Sequence, residues 1–442
     1  MSPLLSPRDA RTHWASAVIP SDQFLLYAFD HGEGPAPTAA EVADVVFARA
    51  PSIPDLRIRV APAPFDVERP SWAPTEVVDV REGIAHTWER IPAAVARLFT
   101  RQVDATVAPW RLHVFPSVRG VPRCTGVATV LVLQVAHCLA DGRRTAEIAR
   151  ALFSSAPAGP AVVPTAAAPD AVRVIRGLAG FPVDMARTVI RGMRVQSARD
   201  RIAARTAAGA LPPPVPGCPI TPLNARPDAG RDVRMLVRDH AGLAAAGTVT
   251  VGALTAVSLA VERYLRVRGA GVPDTLCAEV MVARERKPGE RNAFGNVSVP
   301  LLPGVPVAQR PHRITAALAA ARARAADPLW RIVSAPDDAT PAPLARFGVD
   351  AFDPELRPET MAGATVVSSV NRGPADLELL GGRAVFTAGF PALSPAMGLT
   401  HGVHGLGDTV TLSVTSSRTA VPDPDDYATL LDEALREVAQ LR

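Results

Sequence analysis

The segment Ala128–Val135 (ATVLVLQV) constrains the fold more than any other part of the chain. Val130 and Val132 fall on one side of an extended chain, and Leu131 and Leu133 fall on the other. Neither face is left for water, so the spacing predicts a central strand covered on both sides, within an α/β architecture. The strand runs into His137-Cys138-Leu139-Ala140-Asp141-Gly142, and a helix is expected from Arg143 to Phe153. Gly142 permits a tight strand-to-helix corner, Asp141 offers a carboxylate to backbone or arginine donors, and His137 projects from a rigid strand end. An imidazole placed this way suits general-base work, because its pKa lies near operating pH. The plainer reading is a histidine that only completes the packing of a strand end.

The rest of the chain supplies partners for that strand. Ser6-Pro7-Arg8-Asp9 reads as an N-cap followed by proline at the first helical position. Gln23 to Phe29 reads as a strand, and Thr38 with Glu41 as a capping box opening a helix to about Ala50. Further strands are expected at Leu56 to Ala61, Arg111 to Phe115 and Leu276 to Ala283, with helices at Ala93 to Phe99 and Asp425 to Leu441. Proline is abundant, 44 of 442 residues, and clusters in Ala156 to Pro169 and Leu211 to Pro222, which read as connections. Between them a helix is expected over about Val183 to Ala208, with Gly177, Gly180 and Gly192 limiting its regularity. The domain reading is 1–155, a crossover at 156–222, and 223–442.

Several function classes are set aside by composition. With 48% hydrophobic and 20% charged residues the chain is globular, and a net charge of +4 does not argue for nucleic acid. Met1 to Pro20 lacks the basic and apolar regions of a signal peptide, and no apolar run approaches the length of a spanning helix. Cys124, Cys138, Cys218 and Cys277 are scattered, which suits a reducing cytosol and suggests neither a disulfide framework nor a zinc site. No GxGxxG follows a strand and no P-loop is present. Eight arginines against Asp184 and Asp200 lie between Ala171 and Ala210, with Arg187, Arg191, Arg194, Arg201 and Arg205 on one side of the expected helix and Val189 and Met193 opposed. That face is either simply solvated or suited to anionic lipid headgroups at a membrane or lipid inclusion.

HxxxDG after an apolar strand resembles the CoA-dependent acyltransferase superfamily, and within it the bacterial wax ester synthase/acyl-CoA:diacylglycerol acyltransferase family. Leu5-Ser6-Pro7-Arg8-Asp9-Ala10 matches that family's opening LSPxDA. Val103-Asp104 through Pro109-Trp110 sits at its LDRSRPLW segment. Phe294-Gly295-Asn296-Val297-Ser298, followed by Val299-Pro300-Leu301-Leu302-Pro303, is similar to its GN…LP strand. Ser368-Ser369-Val370-Asn371-Arg372-Gly373-Pro374 is similar to its SNVPGP element, and Val421-Pro422-Asp423 to its terminal VPD. The resemblance implies two subdomains of the chloramphenicol acetyltransferase type with a cleft or tunnel between them. It implies no cofactor beyond acyl-CoA as substrate, and a fatty alcohol or diacylglycerol as acceptor. His137 would be the base and Asp141 the brace of its loop, with Arg284 as the expected partner of Asp141. Gly142, Asn296, Ser298 and Trp110 are expected to shape the substrate site.

The chain departs from the family's pattern in places. Ala136 stands at the first histidine of HHxxxDG, Ala108-Pro109-Trp110 replaces PLW, and Thr250-Val251 replaces an Asn-Asp pair, removing an expected helix cap and a polar group near the cleft. Two other readings therefore stand beside wax ester or triacylglycerol synthesis. One is an acyltransferase condensing a carrier-bound or specialised lipid substrate, and the other is a silent lipid-binding paralogue. His113 is expected in the core or cleft lining, and His401 and His404 in structural roles.

Overall fold

The computed structural model describes residues 3–154, 166–335 and 338–441; residues 156–165 of the expected first connection lie outside them. Twelve strands form two six-stranded sheets. In chain order they are β1 (Gln23–Asp30), β2 (Val80–Glu82), β3 (Trp110–Val118), β4 (Ala128–Val135), β5 (Asp232–Asp239), β6 (Cys277–Ala283), β7 (Phe294–Pro300), β8 (Thr365–Asn371), β9 (Glu378–Leu379), β10 (Gly382–Gly389), β11 (Leu399–Leu406) and β12 (Thr409–Ser416). The first sheet has the order β9-β10-β1-β4-β3-β2, and the second β7-β6-β8-β11-β12-β5.

β4 is the central strand its composition predicts: all eight residues are buried. It pairs antiparallel with β1 on one side and β3 on the other. Leu131 and Leu133 pack with Tyr27, Ile148 and Phe153 on one face, while Val130 and Val132 pack with Leu26, Phe386 and Val233 on the opposite face. Val233 belongs to β5, so the second face is closed partly by the other sheet. β10 comes from the C-terminal half of the chain yet completes the first sheet against β1. That exchange is not visible in any local pattern, because β10 reads as an ordinary strand of its own half. A second core lies under the helices Val249–Val267 and Pro424–Ala439, against the second sheet.

Local signals are well obeyed at the helix starts. Ser6 accepts from Asp9 N, and Thr38 and Glu41 exchange both bonds of a capping box. The connection helix, in contrast, runs Asp170–Ala207 with Pro182 inside it, so the expected start near Val183 is corrected by more than three turns. Pro182 removes one backbone bond, but the preceding turns are held from outside. Arg173 donates to the carbonyls of Ala61 and Pro62 at 3.1 and 2.7 Å, and Arg176 pairs with Glu68 at 2.6 Å. Gly177 is a packing residue here, since a Cβ would come within 2.5 Å of the Val67 carbonyl.

Candidate active site

The β1–β4 register places Gln23 opposite Val135, two residues before His137. The Gln23 side chain therefore reaches the imidazole. Its Nε2 lies 3.0 Å from His137 Nδ1 and donates to the Ala140 carbonyl at 2.6 Å. On the other side the ring stacks on Phe294, with centroids 5.7 Å apart. The His137 carbonyl accepts from Asn292 Nδ2 at 2.7 Å, and the same amide nitrogen donates to Asp9 Oδ1 at 2.8 Å. Asp9 also accepts from Ser6 Oγ at 2.6 Å and from Arg291 N at 3.1 Å. Burial raises the pKa of the Asp9 carboxyl, and these bonds oppose that rise. The opening Ser6-Pro7-Arg8-Asp9 thus does more than start a helix: it holds the loop that holds His137.

Asp141 is committed to structure. It caps the helix Gly142–Phe153 by accepting from Arg144 N at 2.9 Å, and its other oxygen accepts from Ala293 N at 2.9 Å. Its cationic partner is Arg286, at 3.2 Å. The expected pairing with Arg284 is corrected: Arg284 folds back to Glu290 and to the Phe294 carbonyl, at 3.3 Å for the latter. The chain leaves β6 and turns, and two further residues are needed to reach across to Asp141. Arg291 and Arg144 share Asp55 beneath this loop, and Arg291 lies 4.6 Å from the Trp72 ring centroid.

His137 lines two cavities. One, of about 390 Å³, lies between the sheets and is also lined by Gln23, Gly142, Asn296, Ser369 and His404. The other, of about 250 Å³, is lined by Thr12, Trp14, Ala136 and Gln102 among others. Asp22 is common to both. The imidazole is enclosed by protein yet keeps some surface toward this space, and burial lowers its pKa, so the neutral form is favoured. Asp22 accepts from Val103 N at 2.8 Å and from Gln134 Nε2 at 2.7 Å, and burial raises its pKa to about 6. Nothing in its local sequence marks Asp22, Gln23 or Asn292; the β1–β4 register and the loop Arg284–Ala293 bring them in.

The remaining expected site residues divide. Gly142 and Asn296 line the larger cavity, Asn296 bonding to Glu279. Ser298, two residues further along the edge strand β7, is not part of the lining of either cavity. Trp110 is a core residue whose indole donates to the Leu56 carbonyl at 3.1 Å, so its expected place in the substrate site is corrected. The helix cap expected to be missing at Thr250-Val251 is supplied by Thr248, which accepts from Val251 N at 3.2 Å. Thr250 also keeps a polar group near the cleft by bonding to Ser369 at 2.9 Å. His113 bonds to Gln134 within the core, and His401 is clamped between Thr365 and Tyr427.

Residues 21–258 match the wax ester synthase/diacylglycerol acyltransferase catalytic domain, and residues 292–439 the C-terminal domain of the same family. The chain belongs to the wax ester synthase/diacylglycerol acyltransferase family. A wax ester synthase/diacylglycerol acyltransferase from Marinobacter aquaeolei VT8 has the same fold, with a TM-score of 0.67 at 19% identity over 99% of this chain and 98% of that one. The starter condensation domain of rhizomide synthetase, solved in complex with C8-CoA and Leu-SNAC, is similar at a TM-score of 0.58 and 10% identity, covering 100% and 94% of the two chains. The first condensation domain of the calcium-dependent antibiotic synthetase is similar at 0.56 and 14%, covering 100% and 96%. No curated sequence shows significant similarity. The fold is thus that of two chloramphenicol acetyltransferase-like halves, and the family is one of acyltransferases.

Proposed function

We propose that the protein is an acyl-CoA-dependent O-acyltransferase that esterifies a fatty alcohol or diacylglycerol, with His137 as general base. The observation that carries this reading is the position of His137 on the walls of two cavities. A residue shared by two cavities can meet a donor in one and an acceptor in the other. His137 takes the proton of the acceptor hydroxyl, the oxygen attacks the thioester carbonyl, and the collapsing intermediate expels CoA thiolate, which receives the proton from His137. Gln23, Phe294 and Asn292 then fix the ring and its backbone.

Association with anionic lipid through residues 183–208 accompanies this reading. Val189 and Met193 are exposed on the connection helix alongside Arg187 and Arg194, and Ile175 and Leu178 extend the apolar stripe toward its start. No helix among the described residues is long and apolar enough to cross a membrane. Retention on vesicles containing phosphatidylglycerol, lost in Arg194→Glu/Arg201→Glu, is the expected outcome; equal sedimentation of both proteins contradicts it.

The test of function is product analysis with labelled long-chain acyl-CoA and a panel of acceptors. Ester or triacylglycerol formed with stoichiometric CoA supports the proposal. Transfer only from a carrier-bound thioester favours the condensing reading, and binding of lipid without any transfer favours the silent paralogue.

A further inference from the structure

Along the larger cavity, away from His137, sits a second polar pair that the chemistry at His137 does not use. Arg372 directly follows β8 and His404 lies on β11; they are 3% and 5% exposed, and both line the cavity. Arg372 donates to Thr387 Oγ1 and, at 2.9 Å, to the Ala388 carbonyl, and its guanidinium lies 5.5 Å from the Tyr27 ring centroid. Its Nε has no hydrogen-bond partner, and neither has His404 Nδ1. No carboxylate among the described residues is paired with this guanidinium.

A cation taken out of water and left among neutral groups is unfavourable unless something of opposite charge completes the site. The sequence nonetheless makes room for it. A Cβ on Gly389, itself part of the cavity lining, would overlap both the Arg372 guanidinium and the His404 ring. Gly389 pairs with Leu25, two residues along β1 from Gln23. Strand geometry then puts the pair on the order of 10 Å from the Gln23–His137 contact.

We propose that Arg372 and His404 form a carboxylate-binding subsite inside the larger cavity, so that one of the two substrates carries an acid group at its far end. The guanidinium supplies the charge and a free N–H, and the imidazole a further donor, to a group that is bidentate and planar. The spacing suits a medium-length chain with its reacting group at His137 and its carboxylate at Arg372. That chain is either an ω-hydroxy acid serving as acceptor or the acyl group of a dicarboxylic CoA thioester. This inference rests on reading the cavity as a substrate site, but its first test does not require turnover.

Octanoate and methyl octanoate are titrated calorimetrically into the full-length protein. Octanoate is expected to bind at least tenfold more tightly than the ester, and Arg372→Gln to abolish that preference. Equal affinity for acid and ester overturns the proposal, as does a preference that survives Arg372→Gln. If Arg372→Gln does not fold, His404→Gln serves instead, with a severalfold loss of preference expected and an unchanged preference counting against the subsite. Turnover then identifies the source of the carboxylate. A lower KM for ω-hydroxyoctanoate than for octanol assigns it to the acceptor, and a lower KM for suberoyl-CoA than for octanoyl-CoA assigns it to the donor. Absence of either difference, in an enzyme that does turn over, overturns the subsite. Absence of all turnover leaves the binding result standing and instead counts against acyl transfer.

Discussion

Asn292 ties Asp9 to His137: one amide nitrogen donates to the Asp9 carboxylate at 2.8 Å and to the His137 carbonyl at 2.7 Å. The three residues come from the first helix, the loop after β6 and the end of β4. The backbone of the proposed base is therefore set by a contact between the two halves of the molecule.

Replacing Asn292 by Ala removes that contact without touching the imidazole. Displacing a catalytic group by about an ångström costs up to roughly a hundredfold in rate, so kcat is expected to fall severalfold to a hundredfold while KM changes little. Stability is expected to drop by about 1–3 kcal/mol, because Asp9 and the carbonyl lose a partner in a buried place. Steady-state kinetics and thermal melts read both, and an unchanged kcat contradicts the positioning role.

Asp141 answers to Arg286 and not to Arg284. A double-mutant cycle between Asp141→Asn and Arg286→Ala is expected to give a coupling of about 0.5–1.5 kcal/mol, modest because Arg286 is partly exposed. The same cycle with Arg284→Ala should be near zero. Urea unfolding measures both, and equal couplings would falsify the assignment.

His401 makes the fold acid-sensitive. Burial pushes its pKa down to about 3, with Thr365 and Tyr427 as partners. In the unfolded chain a histidine titrates near 6.5. As pH falls through 6.5 the unfolded chain gains a proton that the folded chain refuses until about 3. This residue's contribution is thus fully present above 6.5, and below it is lost at about 1.4 kcal/mol per pH unit. His401→Asn should flatten the dependence of unfolding free energy on pH between 6 and 4 by about one proton. A slope identical to that of the wild type contradicts the buried neutral state.

What the sequence makes legible follows from what is local. The covered strand Ala128–Val135, the caps at Ser6 and Thr38, and the corner His137–Gly142 each depend on neighbours a few residues away, and each is found in place. The partners of His137 and Asp141 depend on register and on a loop about 150 residues distant, so no spacing announces Gln23, Asn292 or Arg286. Trp110 shows the reverse case. A large aromatic beside a motif is as readily explained by a core that needs its volume, and its buried indole with a carbonyl partner shows that the core claimed it. The connection helix passes through Pro182 because Arg173 and Arg176 anchor its first turns to a distant segment, a compensation that local propensity does not contain.

The most direct test of the proposed chemistry is the rate of CoA release from long-chain acyl-CoA with a fatty alcohol, compared between wild type and His137→Ala. The expected result is a loss of at least a hundredfold in kcat, in line with the contribution of a general base, with the variant folded and its acyl-CoA affinity nearly unchanged. Activity within a few-fold of wild type contradicts the assignment of His137 as base.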